Sequence, residues 1–332
     1  MSPHVPDRVA IYVAGDSNIF FPALVAIESI QRHNRHLPLD YYLFFEEEGL
    51  TGEMQAELHK AGIRYVASSE LAKHGDTSDL APMVDSRWPE HVFHNWIAPN
   101  YLASLGYKHV VKADFDLLCV APYDLADLVS DSHLFSAVTF PVDLVHQGVN
   151  EGMARNLGFE DLAPLKRSPY FNVGFVGINA ERYFKEGLLA KFKQAYKELE
   201  SANPPVPNAE QAATALIALA ADNGVRHIDP NYNVRATTVP SVLADGRADI
   251  RNIHYLTHNK PWKPANFTYL DRYVAAERTC VYMYRDIWHK EASKHPLFSK
   301  YVPIEPQDDL HTLGILSRAF GSTTVKDGRL IR

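Results

Sequence analysis

Two aspartates stand one residue apart in an otherwise apolar stretch, KHVVKADFDLLCV at 108–120; they are Asp114 and Asp116. Carboxylates that close repel one another and resist burial unless something positive joins them. A hard divalent cation bound through oxygen is the usual partner. If one strand ran through both, they would project from the same face, because strand side chains alternate, and Lys112 would share that face. The alternative is a strand that ends at Ala113, with the pair in a solvated turn. Other residues able to do chemistry lie elsewhere: Asp16 and Asn18 in GDSN, Asp143 in FPVDLV, Asn172 in YFNVGFVGIN, Glu210 and Gln211 opening EQAATALIALAAD, and His254 and Lys260 in HYLTHNKPW. Taken singly, each has a plain structural explanation: a turn, a strand-end cap, a satisfied core amide, a helix N-terminal charge favoured by the dipole, or a surface loop.

These residues need elements to hold them. Residues 8–14 (RVAIYVA) read as a buried strand, broken by Gly15 and the loop GDSN. Pro22 opens a helix, PALVAIESIQRHN. Residues 39–45 form a second strand, 51–61 a helix ended by Gly62, and 63–67 a third strand. Alternation of this kind predicts a mostly parallel sheet covered on both faces. Ligands of such sheets bind beyond the carboxyl ends of the strands, where GDSN and the Asp114–Asp116 pair both lie. A long polar loop is expected over 68–89, an apolar segment over 91–105, and strands at 109–113, 134–140 and 170–178. One long amphipathic helix is expected over 180–201, a core helix over 210–222, and short strands in VRHID and IRNIHY. Helices follow Pro264 as far as Lys294, and the polar tail from 323 is expected to fray.

Composition narrows the function. The chain has 332 residues, 46% of them hydrophobic, enough for a large core. A net charge of −7 argues against non-specific nucleic-acid binding. Only two cysteines occur, Cys119 and Cys280, and neither is in a CxxC pair, which disfavours a disulfide framework or zinc ribbon and suits a reducing compartment. The first residues lack a basic start followed by an apolar signal core, and no run reaches the ~18 apolar residues of a membrane span. The expectation is a cytoplasmic protein, with attachment to the inner face of a membrane left open.

In their order along the chain, the motifs resemble those of the retaining glycosyltransferases of family 8, over roughly residues 8–262. VAIYVAGDSN is similar to that family's first strand and D-x-N loop, and VVKADFDLL to its D-x-D strand. YFNVGF is similar to its Y-F-N-x-G strand, and Glu210-Gln211 to its D-Q helix. The most specific match is the closing H-x-x-G-x-x-K-P-W, present as His254 through Trp262. The resemblance implies an α/β GT-A fold, a mostly parallel central sheet flanked by helices, over 1–264, with a mainly helical extension over 265–332. It implies Mn²⁺ (or Mg²⁺) held by Asp114, Asp116 and His254, and a UDP-sugar donor, UDP-glucose or UDP-galactose. Asp16 and Asn18 would meet the base, Lys260 the phosphates, and Asp143, Asn172, Glu210 and Gln211 the sugar. Glu210 and Gln211 would be the catalytic pair, with Gln211 nearest the anomeric carbon, supporting a positively charged transition state in a front-face displacement. The acceptor would be a glycan or glycolipid of lipopolysaccharide or capsule.

Four departures stand out. Ile19, followed by Phe20, occupies the usual aromatic position after D-x-N. The helix before the D-x-D strand reads FHNWIAPNYLASLGY and lacks the family's arginine. Lys112 replaces a tyrosine, and is expected to substitute for the lost cation at the donor. Glu210 replaces aspartate, and Thr257 glycine. Two other functions fit parts of the pattern. A haloacid-dehalogenase-type phosphatase also begins with D-x-D, but needs a small or β-branched residue where Leu117-Leu118 stand, and leaves HYLTHNKPW unexplained. A GT-A-fold protein that binds sugar or a partner without transfer suits the missing arginine, but gives a metal site little reason to persist. Aromatic residues past 264 (Tyr269, Tyr273, Tyr282, Tyr284, Trp288) either stack on acceptor sugars or pack the helices.

Overall fold

The apolar run Val9–Gly15 is buried along its whole length, as a strand covered on both faces must be. It opens a computed structural model that describes residues 8–83, 90–140, 142–160, 163–167, 170–203, 205–237, 250–256, 259–264, 275–302, 324–326 and 329–331. In chain order the strands are β1 (Val9–Gly15), β2 (Leu39–Phe45), β3 (Ile63–Ala67), β4 (His109–Ala113), β5 (Leu117–Cys119), β6 (Phe135–Phe140), β7 (Tyr170–Asn179), β8 (Val225–His227), β9 (Val234–Arg235), β10 (Asn252–His254), β11 (Thr324–Lys326) and β12 (Arg329–Ile331). The chain forms two compact units, neither of them a continuous segment. One comprises Met1–Ser17, Leu37–Ala113 and Asp124–Asp229; the other comprises Asn18–His36, Asp114–Tyr123 and Pro230–Arg332, and contains position 264/265.

The first unit is built on a seven-stranded sheet of order β3-β2-β1-β4-β7-β6-β8. Its strands are parallel except β7, which runs antiparallel to both β4 and β6. Helices His94–Ser104, Leu188–Glu200 and Ala209–Ala220 contribute Trp96, Phe192 and Leu216 to one continuous apolar core with Tyr12, Phe44 and Phe171. Helix His94–Ser104 carries Pro99 in its interior. Proline has no N–H to give the carbonyl four residues back. That carbonyl, of Asn95, accepts instead from the Tyr12 hydroxyl at 2.8 Å. The long helix expected over 180–201 is two, Ala180–Lys185 and Leu188–Glu200, separated by Gly187 at φ 63, a left-handed conformation that glycine adopts without a Cβ penalty. The expected polar loop holds short helical turns at Ser68–Leu71, Ala72–His74 and Ser78–Met83, while 84–89 lie outside the described residues.

The second unit has a three-stranded sheet, β5-β10-β9, and the helices Phe20–His33 and Ala275–Ala292. Helix Phe20–His33 begins two residues before Pro22, which sits in the first turn, where its missing N–H would be unpaired anyway. Phe21 packs edge-on to Trp288 at 6.2 Å and stacks on Tyr301 at 5.4 Å. Trp288, Tyr284 and Tyr282 are all buried, so these three pack the core and are not presented to a sugar; Tyr269 and Tyr273 lie outside the described residues. The tail expected to fray pairs instead as an antiparallel hairpin, with Val325 opposite Leu330. Among the described residues, no helix is long and apolar enough to cross a membrane.

Candidate active site

Strand β4 stops at Ala113, so the shared-face geometry expected for Lys112, Asp114 and Asp116 does not arise. Asp114 instead opens a tight turn closed by Leu117 N donating to Asp114 O at 3.3 Å. Nor is the turn solvated: the Asp116 side chain is 7% exposed and that of Asp114 29%. The antiparallel pairing of β5 with β10 sets His254 opposite Leu117, and Tyr255 N donates to Asp116 O at 2.9 Å just beyond it. Residues 138 positions apart in sequence are thereby brought side by side. His254 Nε2 lies 3.0 Å from Asp116 Oδ1 and 3.7 Å from Asp114 Oδ2.

The imidazole is oriented from behind. Asn233 Oδ1 lies 2.7 Å from His254 Nδ1 and accepts its proton, which in the neutral ring leaves the Nε2 lone pair facing both carboxylates. A cation among the three would take that lone pair and an oxygen of each carboxylate as ligands. One ligand atom from each of Asp114, Asp116 and His254 lies within 4.8 Å of the others. Two carboxylates and one fixed imidazole suit Mn²⁺, and suit Mg²⁺ less because it prefers oxygen throughout. A hydrogen bond that sets the tautomer of a ligating histidine is a common feature of metal sites. Asn233 was not singled out by sequence; it is one of two amides flanking Tyr232, and only the fold connects it to His254.

Lys260 supplies the permanent charge. Its ammonium contacts Asp116 Oδ2, donates to Tyr255 O at 2.7 Å, and lies 5.8 Å from the centre of the Phe115 ring. Burial by itself would push the Asp116 carboxyl up, but the charge of Lys260, with the contact to His254, outweighs it and holds the group well below the usual carboxylate range. The loop carrying Lys260 is tied to helix Ala275–Ala292. Arg285 donates to Lys260 O at 3.0 Å and Lys263 O at 2.6 Å, and His289 donates to Pro261 O at 2.6 Å. Trp262 packs against Phe115 and Trp288. The helix therefore holds the Lys-Pro-Trp segment in place. Thr257 and His258 lie outside the described residues.

A second group of the singled-out residues gathers in the first unit. Gln211 Oε1 accepts from Asn172 Nδ2 at 2.8 Å and from Val173 N at 3.3 Å, while Gln211 Nε2 donates to the Tyr170 hydroxyl at 3.1 Å. Asn172 Oδ1 in turn accepts from Gly174 N at 2.9 Å. Glu210, one residue before Gln211, accepts from the indole N–H of Trp96 at 2.8 Å. The Lys112 ammonium is buried and donates to Val173 O at 2.8 Å, beside Asn172. In this structure, then, Lys112 braces the strand that carries Asn172 and is not presented to solvent as the cation expected from sequence. Asp143 accepts from His146 N at 2.8 Å and from the His146 ring at 2.9 Å, so it caps the turn after β6. Asp16 follows β1 directly and is half-buried; Asn18 is exposed. Gly49, at φ +91, closes on this loop, since a Cβ there would lie 2.5 Å from Ser17 Oγ.

No curated protein matches the chain significantly. Among solved structures, the fold is similar to the WbbM bifunctional glycosyltransferase, with a TM-score of 0.58 and 15% identity; the match covers 91% of this chain but 52% of that one, so the chain spans about half of its length. It is also similar to the galactosyltransferase LgtC in complex with donor and acceptor sugar analogues, with a TM-score of 0.55, 16% identity, and coverage of 91% and 99%. The glycosyltransferase GlyE of Streptococcus pneumoniae TIGR4 is similar at a TM-score of 0.50, 17% identity, and coverage of 91% and 66%. At these identities the likeness establishes the α/β GT-A fold. The family model of glycosyl transferase family 8 matches residues 10–265, a span that begins in β1 and ends just past Trp262. With the D-x-D turn, the histidine and the Lys-Pro-Trp segment all inside that span, this chain belongs to glycosyl transferase family 8.

Proposed function

We propose that the chain is a metal-dependent, retaining hexosyltransferase that moves a hexose from a UDP-sugar to a glycan or glycolipid. The observation that carries the reading is the Asp114–Asp116–His254 cluster with Lys260 against it. When bound, a divalent cation neutralises the diphosphate and stabilises the charge that builds on it as the glycosidic bond breaks. Asp114, Asp116 and His254 Nε2 are the residues that hold it, and Asn233 keeps the ring turned to do so. Lys260 adds positive charge toward the same phosphates.

Asp16 and Asn18 hold the base edge, by the family resemblance. Asn172, Glu210 and Gln211 hold the donor sugar, and Asp143 serves the same sugar where its turn allows. Gln211 is anchored at both ends of its amide, by Asn172 and Tyr170, which suits a group that must stay fixed while positive charge develops at the anomeric carbon. Front-face displacement needs no carboxylate nucleophile: the acceptor oxygen enters on the side from which UDP departs, and the leaving diphosphate takes its proton. The galactosyltransferase likeness supports UDP-galactose, and UDP-glucose is its nearest rival. A surface-polysaccharide acceptor places the reaction in the cytoplasm, at the inner face of the membrane.

Calorimetry in Mn²⁺ tests the donor. UDP is expected to bind at least about tenfold tighter than GDP or CDP, a difference of about 1.4 kcal/mol. GDP or CDP binding tenfold tighter than UDP would overturn the assignment. With UDP preferred, turnover of UDP-glucose or UDP-galactose is expected to exceed that of UDP-N-acetylglucosamine.

A further inference from the structure

Trp96 is fully buried and cannot touch a ligand, yet its indole N–H is spent on Glu210, a residue of the proposed donor-sugar site. The indole is itself immobilised. It stacks on Phe192 at 5.0 Å and 27°, and the Trp96 carbonyl accepts from the Tyr183 hydroxyl at 3.1 Å. Glu210 is the second residue of helix Ala209–Ala220, and its backbone is fixed by Thr214 Oγ1 donating to Glu210 O at 2.8 Å. Its long side chain has several rotamers open to it in principle, and a fixed donor selects among them. The tie to Glu210 is made by an indole N–H, a neutral donor, on a helix, HNWIAPNYLAS, that contains neither lysine nor arginine.

We propose that Trp96 is a positioning residue that sets the Glu210 carboxylate and, through it, the discrimination between donor hexoses. The proposal rests on the donor-site reading above. A carboxylate oxygen held at a fixed point distinguishes an equatorial from an axial sugar hydroxyl; a loose one does not. An indole can set that point without adding positive charge, so Glu210 keeps its capacity to accept from hydroxyls.

Trp96→Phe tests this, since it keeps an aromatic ring on Phe192 and deletes only the N–H donor and part of the ring. With thermal unfolding showing a folded protein, kcat/KM for the preferred UDP-hexose is expected to fall at least about tenfold. The ratio of kcat/KM between UDP-glucose and UDP-galactose is expected to move toward unity by more than about threefold. In a Glu210→Ala background, Trp96→Phe is expected to add less than about a twofold loss, because the two act as one unit. Unchanged selectivity, or a full additional loss in the Glu210→Ala background, returns Trp96 to core packing and overturns the proposal. Should Trp96→Phe fail to fold, Glu210→Asp reads the same contact from the other side: it keeps the charge but withdraws it from the indole. The same loss and selectivity change are expected there, and unaltered donor kinetics overturn the proposal. A wild-type protein that binds no UDP and turns over no UDP-sugar removes the donor-site reading itself, and Trp96 with it; an active wild type with an indifferent Trp96→Phe removes Trp96 alone.

Discussion

Asp116→Asn is expected to lower kcat/KM for donor turnover by at least about 1,000-fold while leaving the protein folded. Asparagine has the size of aspartate, and the backbone around it is set by the β5–β10 pairing and the Tyr255 N to Asp116 O bond, which the side chain does not make. What disappears is the negative charge paired with Lys260, and with it a ligand oxygen for the cation. The asparagine amide can pair with His254 Nε2 on one side and with the Lys260 ammonium on the other, so the buried cluster stays satisfied. Folding is read by circular dichroism and thermal unfolding, and activity by UDP release. Activity within tenfold of the wild type in a folded Asp116→Asn protein would mean that the cluster is structural.

Lys260→Met is expected to act in two ways that separate experimentally. Removing the ammonium leaves Asp116 in a buried position beside Asp114 with less counter-charge. Breaking a well-buried pair costs about 3–5 kcal/mol; because the Lys260 side chain is 21% exposed, the loss here is expected nearer about 1–2 kcal/mol. A cation occupying the cluster replaces the missing charge, so Mn²⁺ is expected to raise the melting temperature of Lys260→Met more than that of the wild type. Donor turnover is nonetheless expected to stay at least about 100-fold down, because the diphosphate has lost a charge stabilised against it in the transition state. Turnover restored by Mn²⁺ would confine Lys260 to neutralising Asp116. Loss of activity in Lys260→Met and Asp116→Asn together is expected to be far less than the product of the two, since they belong to one cluster.

Much of the first unit could be read from sequence because its signals are local. β2 and β3 were legible to the residue, as strongly apolar runs between polar or glycine breaks. The break at Gly187 was missed because a single glycine in an amphipathic pattern does not reveal whether its φ is positive. The tail hairpin carried a signal that was passed over, the dipeptide Asp327-Gly328 between its two strands, because the flanking runs are only three residues long and mix charged with apolar residues. The site was legible in its residue types but not in its geometry. For Asp114 and Asp116 the spacing leaves a continuous strand and a turn after Ala113 equally open; the structure has the turn, but buries Asp116 in it, and β10 supplies the histidine. For Lys112 the spacing predicts a shared face with the aspartates; that face does not arise, and its ammonium donates to Val173 O, a contact fixed by tertiary packing. Asn233, Trp96, Arg285 and His289 act on the site residues through contacts of long sequence separation, which no window along the chain contains.

The central claim is that the Asp114–Asp116–His254 cluster serves a metal-dependent cleavage of a UDP-sugar. The most direct measurement is UDP release from UDP-galactose and UDP-glucose by the wild-type protein, in Mn²⁺ and then in EDTA. Release is expected in Mn²⁺, to fall at least about 100-fold in EDTA, and to return when Mn²⁺ is added back in excess. Release that continues unchanged in EDTA, or no release from either donor in saturating Mn²⁺, would contradict the account.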